Sequence, residues 1–179
     1  MIVNPDIREI REQQNVTLLA PGGKSTVRLD ALTIWWSGAR LALEMKYREE
    51  VEKSGIQRRL HDLRRYAQGY AGAYGLLTEE SFSLQQYENA EEIISCAGTL
   101  SVRRCQLVVR DIIGKAGSVR LGDLARREDL DNAGYQVAVG MLGTGALSLA
   151  DSNSRIGVDA EVVLQADYNL RLNRFFGNM

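Results

Sequence analysis

STVRLDALTIWWSGARLALEMKY, residues 25–47, is the stretch on which the fold turns. Its first half alternates, with Val27, Leu29, Ala31 and Thr33 pointing one way and Arg28, Asp30, Leu32 and Ile34 the other. Ser37-Gly38 is a turn signal, and beyond it Leu41, Leu43 and Met45 oppose Ala42, Glu44 and Lys46. A period of two marks a strand, because successive side chains leave a pleated backbone on opposite faces. Two such runs about a Gly-containing turn predict a β-hairpin.

Working outward, IREIREQ (residues 7–13) fits either a strand or a helical turn, and Pro21-Gly22-Gly23 is a loop signal. From Arg48 to about Tyr70 the period becomes helical. Val51, Ile56, Leu60, Leu63 and Ala67 form one apolar stripe, restarting near Ser54-Gly55. AGAYGLL (residues 71–77) reads as a buried strand, and Thr78 before Glu79 and Glu80 reads as a helix N-cap. Strand, hairpin, helix, strand and helix predict an α/β domain on a mixed sheet over residues 1–95.

Residues 96–179 read differently. Leu100 to Lys115 is a helix with Val102, Cys105, Val108, Val109 and Ile112 inward. A short extended piece and a second helix follow Gly117, and a third helix begins near Asp131 or Asn132 as its cap. Two extended runs then flank a polar turn at Asp151 to Ser154. Three short helices and a hairpin are the order of a winged helix-turn-helix. The boundary is expected near residues 90–100.

The composition narrows the function. With 22 basic and 23 acidic residues the chain lacks the cationic excess of a freestanding DNA binder, whose affinity comes largely from neutralising phosphates. Any nucleic-acid role therefore rests on local patches or on a partner that delivers the DNA. One histidine, His61, removes most zinc-site and triad options, and Cys96 and Cys105 are expected to be buried free thiols in a reducing compartment. Charges at the N-terminus exclude a signal peptide there, and no apolar run is long enough to span a bilayer. The expectation is a soluble cytoplasmic protein.

The chemistry-bearing constellation is Asp30 on one arm of the hairpin with Glu44 and Lys46 on the other. Glu44 and Lys46, two apart on a strand, share a face, and Asp30 approaches Glu44 across the hairpin. Adjacent carboxylates repel, and a shared divalent cation offsets that repulsion. Magnesium, which takes few carboxylates and completes its shell with water and phosphate oxygens, suits two acids. Lys46 would then sit beside the attacking water or the phosphate. The same alternation also fits a plain solvated hairpin face.

On these residues the chain resembles the TnsA family, the endonuclease subunit of heteromeric cut-and-paste transposases. NPDIREIREQ resembles the family's entry into its first strand, LDALTIWWSGARLALEMKY its metal-binding hairpin, and LHDLRRYAQGYAGAYGLLTEE its helix followed by a strand. The resemblance implies a restriction-endonuclease-like (PD-(D/E)xK) N-terminal domain and a winged-helix C-terminal domain. It implies Asp30 and Glu44 as metal ligands, Lys46 as the catalytic lysine, and Mg²⁺ (or Mn²⁺) as cofactor. The implied partners are the DNA of transposon ends, an integrase-like transposase subunit and an AAA+ ATPase regulator. The family also carries a catalytic glutamate on a helix ahead of the first strand. Glu9 and Glu12 do not match it, so either a partner, a swapped subunit or preceding chain supplies that acid, or metal affinity is weakened.

Lys24, Arg58 and Arg65 are the candidate DNA contacts; Arg58 and Arg65 belong to a run with Arg59 and Arg64, though the interleaved acids equally fit a solvated helix face. Trp35-Trp36 fits a stacking platform or a core-and-rim pair. The third helix, Tyr135 to Leu142, lacks the Arg, Asn or Gln of a base-reading element, and Arg120, Arg126 and Arg127 are too few to replace them; protein docking is expected of this domain. Phe175-Phe176 suggests an anchoring tail. The expectation is thus a Mg²⁺-dependent endonuclease acting within a transposition complex. A catalytically degenerate docking module and a freestanding restriction or repair nuclease remain as alternatives.

Overall fold

The computed structural model describes residues 4–98 and 103–165. Their contacts divide into two units, Asp6–Ser83 and a second unit that joins the N-terminal residues up to Pro5 to the chain from Leu84 onward. The first unit is a four-stranded mixed sheet in the order β1-β2-β3-β4, built from β1 (Ile7–Ala20), β2 (Gly23–Trp35), β3 (Arg40–Met45) and β4 (Ala73–Leu77). The polar run after Ile7 is the start of a 14-residue strand, and no helical turn forms there. The β1–β2 and β2–β3 pairs are antiparallel. Gly38 closes the second hairpin at φ 84, a left-handed conformation that a side chain would strain. The β3–β4 pair is parallel, and parallel neighbours need a crossover; α1 (Ile56–Tyr66) supplies it.

The expected α1 stripe packs as read: Val51, Ile56, Leu60, Leu63 and Ala67 are all buried. They form one core with Leu32, Ile34 and Ala42, and also with Val16, Leu18 and Leu29. Strict alternation assigns Leu29 and Leu32 to opposite faces, yet both join this core. The inward face therefore changes parity beside Asp30; across from it Gln13 is left-handed at φ 52, and the pairing register runs unbroken from Glu12↔Ala31 to Gln14↔Leu29. Ala31, Thr33 and Leu43 are buried as well, so the sheet centre is covered on both faces. The buried strand expected at residues 71–77 differs in place and burial. Strand β4 is the sheet edge, and only Tyr74 among its residues is buried, its hydroxyl donating to Ala67 O at 2.5 Å. Thr78 caps a single 3₁₀ turn, Glu79–Ser81, in a reciprocal box with Ser81; the next α-helix starts later.

That helix, α2 (Leu84–Cys96), belongs to the second unit. Asn89 ties it to the 151–156 segment, donating to Ser154 O at 3.0 Å and accepting from Ile156 N at 2.8 Å. Glu92 accepts from the Tyr135 hydroxyl at 3.0 Å. The division therefore falls at Ser83/Leu84, ahead of the 90–100 stretch expected from sequence. Next come α3 (Arg103–Ala116), β5 (Ser118–Arg120), α4 (Leu121–Ala125), α5 (Gly134–Gly143), β6 (Leu147–Leu149) and β7 (Glu161–Leu164). The last strands form an antiparallel sheet in the order β5-β7-β6.

On α3, Cys105, Val109 and Ile113 are the fully inward residues, with Val108 and Ile112 at the rim. Neither Asp131 nor Asn132 caps α5; both are left-handed, at φ 50 and 58, and Ala133 holds the cap position. Helix α5 is the centre of the core: Gly134 and every residue from Val137 to Leu142 are buried. It therefore cannot itself be a recognition or docking helix, because its apolar residues are already packed on this unit. Cys96 and Cys105 are buried free thiols. Among the described residues no helix is long and apolar enough to cross a membrane. Phe175-Phe176, the 166–179 tail and residues 99–102 lie outside the described residues.

Candidate metal centre

Strands β2 and β3 pair from Ile34↔Arg40 to Ala31↔Leu43, and one further step in that register sets Asp30 opposite Glu44. Asp30 is half-buried and its Oδ2 accepts the backbone N–H of Met45 at 2.7 Å, which fixes the carboxylate against the end of β3. Glu44 is only 2% exposed, the one buried acidic side chain among the described residues. Lys46 is half-buried, just past the end of β3, and its backbone N–H donates to Leu77 O at 3.1 Å.

The electrostatics tie the three together. Burial pushes the Glu44 carboxyl above its ordinary range, since taking a carboxylate out of water disfavours the ionised form. The Asp30 charge pushes it the same way, while Arg59 and Lys46 pull it down. Each of these charges thus lies close enough to act on Glu44. Arg59, on α1, places Nη1 at 3.4 Å from Glu44 Oε1 and is 41% exposed. Sequence reading groups Arg59 with its neighbouring arginines and misses this contact. The available signal is its position three after Ile56 and four before Leu63, on the edge of the apolar stripe.

The remaining candidates disperse. Lys24 is exposed on β2 opposite Leu19, and Arg58 is exposed on α1. Arg65 is exposed with its guanidinium 5.4 Å from the Tyr66 ring centre. Arg64 donates to Tyr74 O at 2.8 Å, so three of the four α1 arginines, Arg59, Arg64 and Arg65, serve internal contacts. His61 is exposed. Trp35 and Trp36 are both half-buried; Trp35 Nε1 donates to Thr33 Oγ1 at 3.2 Å. Glu9 pairs with Arg11 at 2.7 Å, and Glu12 sits across from Ala31. Arg120, Arg126 and Arg127 are in ion pairs with Glu161, Asp123 and Asp129. A groove of about 330 Å³ in the second unit, lined by Asn89, Ile93, Leu142, Leu147 and Ile156 among others, has no charged side chain in its lining.

Among the described residues no group of three or more His, Cys, Asp or Glu side chains converges as a metal cage. The facing Asp30 and Glu44 are a two-acid arrangement, whose donor chemistry fits a hard cation that keeps most of its shell as water and phosphate oxygen. No protein-family model matches the chain, and no curated protein matches it.

Proposed function

We propose that Asp30, Glu44 and Lys46 form the active site of a magnesium-dependent DNA endonuclease, the TnsA-like subunit of a heteromeric transposase cutting the 5′ ends of a mobile element. On this reading the mixed sheet with its crossover helix is a restriction-endonuclease-like domain, and the helices with the small antiparallel sheet are a winged helix. The observation that carries it is the buried Glu44 carboxylate facing Asp30 with Lys46 beside it. Without a counter-cation such a pair is destabilising, and half-exposed Arg59 offsets it only in part.

Mg²⁺, when bound, would supply a polarised water and neutralise charge on the phosphoryl oxygens. The chain's own residues do the positioning. The Met45 N–H holds one oxygen of Asp30, so the other would be left for a cation. Glu44, fixed by burial, would be the second ligand from across the hairpin. Lys46, whose charge acts on Glu44, would supply a fixed positive charge near the water or phosphate. An integrase-like subunit and an AAA+ ATPase would bring the DNA ends to this near-neutral chain.

The Arg59–Glu44 contact favours a second reading, in which Arg59 is a permanent counter-ion and the domain is a docking module for the transposition regulator. Strand cleavage separates the two. With DNA ends, both partners and Mg²⁺ present, the wild-type chain should cut, while Asp30→Ala and Lys46→Ala should lower the rate at least about 10²-fold. A complex that assembles fully but leaves the 5′ ends uncut would reject the nuclease reading.

A further inference from the structure

The β1–β2 hairpin continues well past the strand that pairs with β2. Strand β3 covers only Ala31 to Ile34, so from Gln14 to Leu29 the hairpin is a two-stranded ribbon. Its inner face is packed: Val16, Leu18 and Leu29 are buried in the core against α1. Its outer face presents three successive cross-strand pairs, Asn15↔Arg28, Thr17↔Thr26 and Leu19↔Lys24, all exposed. Leu19, at 71% exposure, is one of the most exposed apolar side chains described. Residues 13–29 contain Lys24 and Arg28 and no carboxylate, in a chain whose acids outnumber its bases by one. The Arg28 guanidinium is braced by the Gln13 side-chain oxygen, which sets its direction.

We propose that this outer face enters the major groove of duplex DNA and reads base edges there. The proposal rests on the reading of DNA as substrate and adds to it the element that selects sequence. A two-stranded ribbon is one of the two protein elements that the major groove, about 12 Å wide, admits. The four residue steps of strand from Asn15 to Leu19 span about 13 Å, or roughly four base-pair steps. The exposed side chains match the donors and acceptors there. Arg28 and Lys24 donate to guanine O6 and N7, Asn15 pairs with adenine N6 and N7, and the Thr and Leu methyls meet the thymine methyl. The packed inner face holds the ribbon rigid, so these side chains arrive already spaced. Carboxylates, which phosphates would repel, are missing from the one stretch where they would do most harm.

The test uses the full chain in EDTA, which prevents cleavage, and a pool of randomised duplexes sequenced after retention. Wild-type protein should enrich a run of about four base pairs. Arg28→Ala and Asn15→Ala should each bind the enriched sequence roughly 5- to 150-fold more weakly. Lys24→Ala should likewise relax the preference at its own base position, and an equal weakening of all sequences would overturn the base contact assigned to Lys24. These residues are exposed, so unchanged circular dichroism is expected of every variant. No retention, retention without enrichment, or enrichment that survives Asn15→Ala with Arg28→Ala would overturn the proposal. Conversion of a dimer to a monomer by these variants, with no DNA retained, would instead assign the face to a second copy. Enrichment by a chain that never cuts would sink the nuclease reading alone, whereas normal cutting with enrichment unchanged in the double variant would sink only the ribbon.

Discussion

Replacing Gly134 by alanine is expected to destabilise the second unit markedly, and the structure gives the scale. A Cβ at this position would lie 2.1 Å from the Leu124 carbonyl oxygen, 2.8 Å from its carbonyl carbon and 2.8 Å from Leu130 Cδ1. Ordinary carbon contacts are about 3.5–4.0 Å. The first obstacle is backbone, so no rotamer change relieves it and α5 must back away from the α4 end by an ångström or so. Leu124, Leu130 and Val137 are fully buried around the contact and lose packing as it opens. Overpacking of this kind costs about 1–3 kcal/mol, and the lost contacts bring the total to about 3 kcal/mol or more. For a protein of this size that corresponds to a melting point lowered on the order of 10 °C. Gly114→Ala, within α3, is the control: its nearest atom is Leu164 Cδ1 at 3.5 Å, an ordinary contact, and alanine's better helix propensity returns about 1 kcal/mol. Thermal melts followed by far-UV circular dichroism would compare the two. Equal melting points for Gly134→Ala and wild type, or equal losses at both positions, would refute the packing described for α5.

Leu60→Ala empties a fully buried site between α1 and the sheet and should destabilise by about 2–5 kcal/mol in denaturant titration, while His61→Ala, next to it but exposed, should stay within about 0.5 kcal/mol. Tyr74→Phe removes the hydroxyl that donates to Ala67 O and should lose about 1 kcal/mol by the same measurement. Glu44 has a carboxyl pKa raised in the fold, chiefly by burial, so its contribution to stability is full below the ordinary carboxyl range and is lost as pH rises through the raised value. Without metal, stability should therefore fall from acidic toward neutral pH at this residue. Glu44→Gln should flatten that part of the profile and melt higher than wild type at neutral pH; an unchanged profile would contradict the burial assigned to Glu44.

Much of the first unit is legible in the sequence because its signals are local. The alternation on either side of Ser37-Gly38 and the stripe from Val51 to Ala67 each depend on a single element and its period. The left-handed Gln13 and the change of inward face beside Asp30 are not legible in this way, since the local period of neither strand marks them. In the second unit the order of elements can be read but the role of α5 cannot. That helix lacks a polar face because it is buried all round, whereas its composition alone suits a docking surface equally well. Helix α2 carries no periodic signal that says which neighbour it joins, and Asn89 decides that through bonds to residues 154 and 156, far along the chain. Within the candidate site, strand spacing predicts the Asp30, Glu44 and Lys46 geometry, while the Arg59 contact depends on how α1 crosses the sheet and is tertiary information.

Whether Asp30 and Glu44 act as one cation site can be tested by direct metal titration, without DNA or partners. Calorimetry with Mn²⁺ and Mg²⁺ on the purified chain should show one site per chain, abolished by Asp30→Ala and by Glu44→Gln. Binding that survives both substitutions, or no binding by a correctly folded wild-type chain, would contradict it.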